Sequence, residues 1–228
     1  MYDFQNHTFL RDGVLSPIEL IRRSLVRGYK AIGVTDHVGI GNIEYVVKTL
    51  VVDCANATDR WDILAMPGVE ITHVPKDDID MVARTAKELG AKLVTVHGET
   101  IVEPVEPGTN EAAVRSAFVD VLAHPGLISY EVARLAAENG VYLEVSARKG
   151  HSLTNGYVVN LARQVGAATV LDSDAHEPDD LLTLDLIDKI AEGAGLNKEE
   201  AHALLETNPQ NLLVKLGFGP VPASDSSA

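Results

Sequence analysis

Cysteine is almost missing from this chain. Cys54 is the only one in 228 residues, which excludes an internal disulfide and a zinc site built on thiolates. Positive charge is also scarce: 19 Lys and Arg face 33 Asp and Glu, a net charge of −14. Such a surface repels phosphate backbones as a whole, so an anionic substrate must meet a local reversal of sign, and a bound metal cluster is one such reversal. No apolar run approaches the ~20 residues needed to span a bilayer. The first residues lack the basic segment and apolar core of a secretory signal. A soluble cytoplasmic protein with no membrane partner is therefore expected; its oligomeric state is not legible. What is present is ordinary for a globular enzyme, with 46% hydrophobic and 23% charged residues, enough for one large α/β domain.

The chain opens on Tyr2-Asp3-Phe4-Gln5-Asn6-His7, an apolar and aromatic run that ends in cation-binding side chains before Asp12-Gly13 turns it away. That event recurs at the ends of later β-rich runs, at His37, Glu70, His97, His124, and Asp174 with His176. Between these points the pattern predicts alternating elements. Ser16-Pro17 starts a helix, with Glu19 placed to complete a capping box and Gly28 to end it. Strands are predicted over 31–35, 62–69, 92–96, 119–123, 141–145 and 168–171, and helices over 43–58, 75–89, 110–116, 129–139, 153–165, 179–191 and 198–207. The Pro- and Glu-rich 99–108 reads as a loop over the same strand ends as His97, with Glu99, Glu103 and Glu106 in solvent.

β-Branched runs separated by amphipathic helices indicate a parallel sheet covered on both faces. Seven units without a break in composition suggest a single-domain, TIM-like barrel over residues 1–216, followed by a flexible tail, 217–228. Active sites of such barrels lie at the C-terminal strand ends, where every ligand candidate falls. Strand six is the exception. It ends in Arg148-Lys149-Gly150-His151 and offers cations suited to an anionic substrate. His73 and His202 read as residues without a role, His151 as either a substrate contact or loop surface, and Asp36 as a partner that orients an imidazole.

In this order the motifs resemble those of the PHP (polymerase and histidinol phosphatase) superfamily, over about residues 3–211. Gln5-Asn6-His7-Thr8 with Asp12-Gly13, Thr35-Asp36-His37, Pro67-Gly68-Val69-Glu70, Ala123-His124-Pro125 and Asp174-Ala175-His176 match its pattern. The resemblance implies a distorted (β/α)7 barrel and a phosphoesterase that uses Zn, Mn or Fe. It implies one ion on position 5, His7, Glu70 and Asp174, a second on Glu70, His97 and His124, and a third on Asp12, His37 and His176. Where the family has its first histidine this chain has Gln5, a poorer ligand for a borderline metal. Two tightly held ions and a weakened third are therefore expected. The implied reaction is attack of a metal-bound hydroxide on a small phosphomonoester, histidinol-phosphate-like or a nucleotide, with Asp174 in the catalytic set and Arg148, Lys149 and His151 on the substrate. Two other classes stay open: a non-catalytic barrel like the ribonuclease P protein subunit, which the net charge of −14 disfavours, and a degenerate metal-binding barrel.

Overall fold

Period-two alternation decides the architecture. In the computed structural model, which describes residues 1–219, the strands are β1 (Tyr2–Asp3), β2 (Ala31–Val34), β3 (His37–Val38), β4 (Leu64–Ile71), β5 (Leu93–His97), β6 (Val121–Ala123), β7 (Tyr142–Ser146) and β8 (Thr169–Asp172). All pairings are parallel, in the order β1-β2-β4-β5-β6-β7-β8, with β3 resuming the line of β2 along the outer half of β4. One set of alternate residues, including Ile32, Val34, Val69, Val94, Val96, Leu122, Leu143, Val145 and Leu171, packs in the large core shared with the helices. The other set, Ala31, Met66, Leu93, Val121, Tyr142 and Val170, forms a separate cluster inside the barrel with Tyr2 and Phe4. The result is a single, nearly closed α/β barrel.

The last gap is sealed by side chains instead of a backbone ladder. Phe4 N donates to Asp172 Oδ1 at 2.6 Å and Ser173 N donates to Asp3 Oδ1 at 3.1 Å. Farther along, Asn6 and Ala175 form one parallel bridge, and His7 N donates to Ala175 O at 2.8 Å. Close approach also fixes two glycines. A Cβ on Gly33 would lie 2.6 Å from Phe4 O, and one on Gly68 would lie 2.8 Å from Thr35 Cγ2.

The outer helices are α1 (Pro17–Val26), α2 (Ile43–Thr58), α3 (Ile79–Leu89), α4 (Thr109–Arg115), α5 (Tyr130–Asn139), α6 (Asn155–Val165), α7 (Leu184–Gly193), α8 (Lys198–His202) and α9 (Asn208–Lys215). Ser16 caps α1 through Glu19 N, but the Glu19 carboxylate binds Arg23 and the capping box is not closed. The helix expected over 179–191 begins only at Leu184. Pro178–Asp180 is a 3-10 turn boxed by Glu177 and Asp180, and Leu181 and Leu182 are drawn into the core ahead of the Thr183 cap. The final helix does not stop at 207. A π turn, Ala203–Thr207, passes directly into α9, where Pro209 lacks the N–H that an ordinary α-helical bond to Leu205 O would need. α9 closes the bottom of the barrel with Leu212 and Leu213. Phe218, at the start of the expected tail, packs there too, and its N–H donates to Leu213 O; the rest of the tail, 220–228, lies outside the described residues.

Candidate metal centre

Along β4, β5, β7 and β8 the inward positions change from apolar to polar or ligating. Leu93 gives way to Thr95 and His97, Tyr142 to Glu144 and Ser146, Val170 to Asp172 and Asp174, and Met66 to Gly68 and Glu70. Buried carboxylates and imidazoles thus crown an apolar interior. Two of these residues sit in left-handed backbone, His124 at φ 28° and Asp174 at φ 51°, an arrangement that costs energy and clusters at functional sites. Behind His7, the Asp36 carboxylate accepts from Thr8 N at 2.8 Å and Thr8 Oγ1 at 2.7 Å. Asp36 therefore pins the first ligand loop, not an imidazole as the sequence suggested.

Glu70 is the hub. Its Oε2 lies 2.8 Å from His37 Nδ1 and 3.5 Å from His7 Nε2; its Oε1 lies 3.1 Å from His97 Nδ1 and 3.5 Å from His124 Nε2. His97 Nδ1 and His124 Nε2 are 3.0 Å apart. These edges match the ~3.3 Å separation of donors at ~2.0–2.1 Å from a tetrahedral ion. A second group is His7, Asp12, His37 and His176, whose ligand atoms all lie within 4.8 Å of one another. There Asp12 Oδ2 is 3.4 Å from His37 Nε2 and 3.5 Å from His176 Nε2. Burial alone would raise the Glu70 pKa, but His37 and His97 outweigh it and hold the carboxyl well below its usual range. Burial likewise opposes the charge on His37, yet Glu70 and Asp12 push its pKa up to about 11.

Asp174 divides its oxygens. Oδ1 is 3.0 Å from His7 Nε2, while Oδ2 is 3.5 Å from Arg148 Nε and 3.7 Å from His151 Nε2. Arg148, about one-third exposed, also donates to Asp174 O at 3.0 Å. The structure therefore brings Arg148 to the edge of the cluster and His151 into it, 4% exposed. Lys149 is exposed and pairs with no described residue. His73 and His202 are exposed. In the acidic loop Glu103 and Glu106 are exposed, as expected, with Glu106 accepting from Lys76 N, but Glu99 is half-buried and caps α4 by accepting from Gly108 N and Asn110 N.

Four imidazoles share one pattern, with one nitrogen held and the other aimed at a cluster. His124 Nδ1 meets Glu144 Oε2 at 2.9 Å, His176 Nδ1 meets Asp174 O at 2.9 Å, His37 Nδ1 meets Thr72 Oγ1 at 2.7 Å, and His97 Nε2 meets Glu103 O at 3.5 Å. Metal-binding histidines are oriented this way. Glu144 was missed by sequence reasoning. Its only signal was a charged residue inside an otherwise apolar strand run. Burial first, and then Asp174 and Glu70, raise its pKa well above the usual range. Both amide atoms of Gln5 and Nδ1 of His7 are buried without a hydrogen-bond partner, while His7 Nε2, Glu70 Oε2 and Asp174 Oδ1 are buried and meet only other groups of the cluster. A cation would satisfy just such a set, so the residues fit one or more divalent ions.

No family model matches the chain. It is 42% identical over 94% of its length to an uncharacterized protein of Methanocaldococcus jannaschii, 99% of which is covered. It is 25% identical over 86% of its length to a "probable phosphatase" of Thermoanaerobacter sp., 87% of which is covered. A ribonuclease P protein component 3 of Methanosarcina acetivorans is 30% identical over 53% of this chain and 56% of that one, about half of each. Among solved structures, a Listeria monocytogenes protein assigned as the histidinol phosphatase hisK superposes with a TM-score of 0.60 at 13% identity, covering 79% of this chain and 97% of the other. At that identity the likeness speaks to the fold alone.

Proposed function

The chain belongs to the PHP superfamily, and on that premise we propose that it is a metal-dependent phosphoesterase that hydrolyses a small phosphomonoester. The observation that carries the reading is Glu70, a fully buried carboxylate with four imidazoles at 2.8–3.5 Å, beside ligand atoms that have no other partner. His7, Asp12, His37 and His176 would hold one ion, and Glu70, His97 and His124 another, with Glu70 placed to serve both and Asp174 beside His7. Divalent ions in such a site lower the pKa of bound water toward neutrality and neutralise charge that builds on a phosphoryl oxygen.

The protein's own residues do the rest. Arg148 is held at the rim by Asp174 and is exposed enough for its guanidinium to take two non-bridging oxygens. Lys149, exposed beside it, is assigned to the same anion. Glu103 O lies 3.5 Å from His97 Nε2, so the 99–108 loop borders the site. Histidinol phosphate and nucleotides are the substrate candidates.

Phosphate release from a panel of phosphomonoesters, by chelator-stripped protein with and without added manganese or zinc, tests the proposal. Metal-dependent turnover of at least one ester is expected, and none after excess metal would end it. The ribonuclease P likeness supports RNA binding as a second reading. The net charge of −14 weighs against it. RNA retention without hydrolysis would favour it.

A further inference from the structure

His37, His97, His124 and His176 each have one ring nitrogen held and the other aimed at a cluster, and one histidine outside that list shows the same arrangement. His151 follows the β7 strand end, on a short 3-10 turn, His151–Thr154. Its Nδ1 is held by Thr100 Oγ1 at 2.7 Å. The opposite nitrogen, Nε2, faces Asp174 Oδ2 at 3.7 Å, and its ligand atom groups with those of His124 and Asp174 within 4.8 Å. Its ring stacks on His124 at 4.1 Å, as His7 stacks on His37 at 4.3 Å and on His176 at 4.2 Å. Stacked imidazole pairs recur in this centre.

Gln5 makes the arrangement consequential. It is fully buried, and neither atom of its amide has a partner, so the position expected to supply an imidazole supplies only a neutral carbonyl oxygen. We propose that His151 is a metal ligand in this protein, coordinating a divalent cation with Asp174 Oδ2 beside the ion assigned to Glu70, His97 and His124, and making good the imidazole missing at Gln5. Arg148 Nε now lies 3.5 Å from that same Asp174 oxygen. A cation there takes over the neutralisation of Asp174 and leaves the guanidinium to the substrate phosphoryl group. Thr100 becomes a positioning residue, because its hydroxyl selects the ring nitrogen that faces inward.

The inference rests on the metal-holding part of the proposed function and is tested by metal binding, not by turnover. Zinc is titrated calorimetrically into chelator-stripped wild type, His151→Ala, Gln5→His and the double variant, and bound metal is counted after dialysis. His151→Ala is expected to hold one ion fewer, or to bind one at least roughly tenfold more weakly. Adding Gln5→His is expected to restore that ion, a rescue that a merely structural role for His151 would not allow. Folding is followed by circular dichroism. If His151→Ala does not fold, His151→Cys loaded with cobalt(II) decides: a thiolate-to-cobalt charge-transfer band is expected, against a wild type whose only thiol, Cys54, is buried in α2. An unchanged ion count and affinity in folded His151→Ala, or bound cobalt without that band, overturns the proposal. Phosphate release is assayed in parallel. A wild type that binds ions but releases no phosphate would end the phosphoesterase reading and leave the role of His151 to be read from the titrations.

Discussion

At the scale of single residues, the centre is a contest between burial and charge. Glu70 stays ionised at zero exposure only because the imidazoles around it outweigh desolvation. Glu70→Gln removes that charge and a shared ligand together, so metal content and phosphate release are expected to fall by ~10-fold or more. Arg148→Ala should lose activity with its metals retained, since Arg148 reaches the cluster only through Asp174. Elemental analysis of both dialysed variants checks the contrast. His37 sets a pH dependence. In stripped protein its pKa stands at about 11, against ~6.5 in an unfolded chain. The pair with Glu70 therefore stabilises the stripped fold fully below pH ~6.5, and that contribution is lost as pH rises through the folded value. A metal must displace this proton, so apparent affinity should climb up to ~10-fold per pH unit between 6 and 8. Zinc titrations at pH 6, 7 and 8 would expose a flat affinity, which contradicts this account.

At the scale of elements, each strand is written twice, once for the helices outside and once for the interior. Val94 and Val96 face the helices, while Leu93, Thr95 and His97 run inward from core to ligand. This was legible, because period-two alternation and a terminal ligand are local features. The ends of the chain were less so. The helix expected to stop at 207 continues because α9 has an apolar face to bury against the open bottom of the barrel. Leu213 is fully buried there. Leu213→Ala should cost about 2–5 kcal/mol, read as a shift of the urea midpoint at unchanged slope. A loss under ~1 kcal/mol would mean that α9 is not a structural plug.

For the whole molecule, the barrel closes through buried carboxylates at the seam between β1 and β8. Burial raises the Asp3 pKa to about 7 against the opposing hydrogen bonds from Ser173, Gln5 and Tyr29, and burial followed by the charges of Asp3 and Glu144 pushes Asp172 well above its usual range. An acid whose folded pKa exceeds the unfolded value favours the fold most below the unfolded pKa, ~3.9, and this advantage declines as pH rises toward 7. Asp3→Asn keeps an acceptor for Ser173 N without a charge to desolvate. Its stability relative to wild type should therefore improve between pH 5 and pH 8 in parallel urea melts. A constant or opposite difference would show that the seam does not hold a proton.

The sequence by itself determined the alternation of elements, the strand ends at which His7, His37, Glu70, His97, His124, Asp174 and His176 stand, and the departure at Gln5. Each is carried by residues close in the chain, through period, turn and cap. Only the tertiary structure decided which side chains meet. Glu144 behind His124 is 20 residues away on the next strand, Thr100 behind His151 is 51 away, and Asp172 meets Phe4 across 168 residues. Barrel closure creates those contacts, and burial then sets their charges. No local pattern encodes that proximity, because it depends on how the remaining strands bend the sheet round to its first edge.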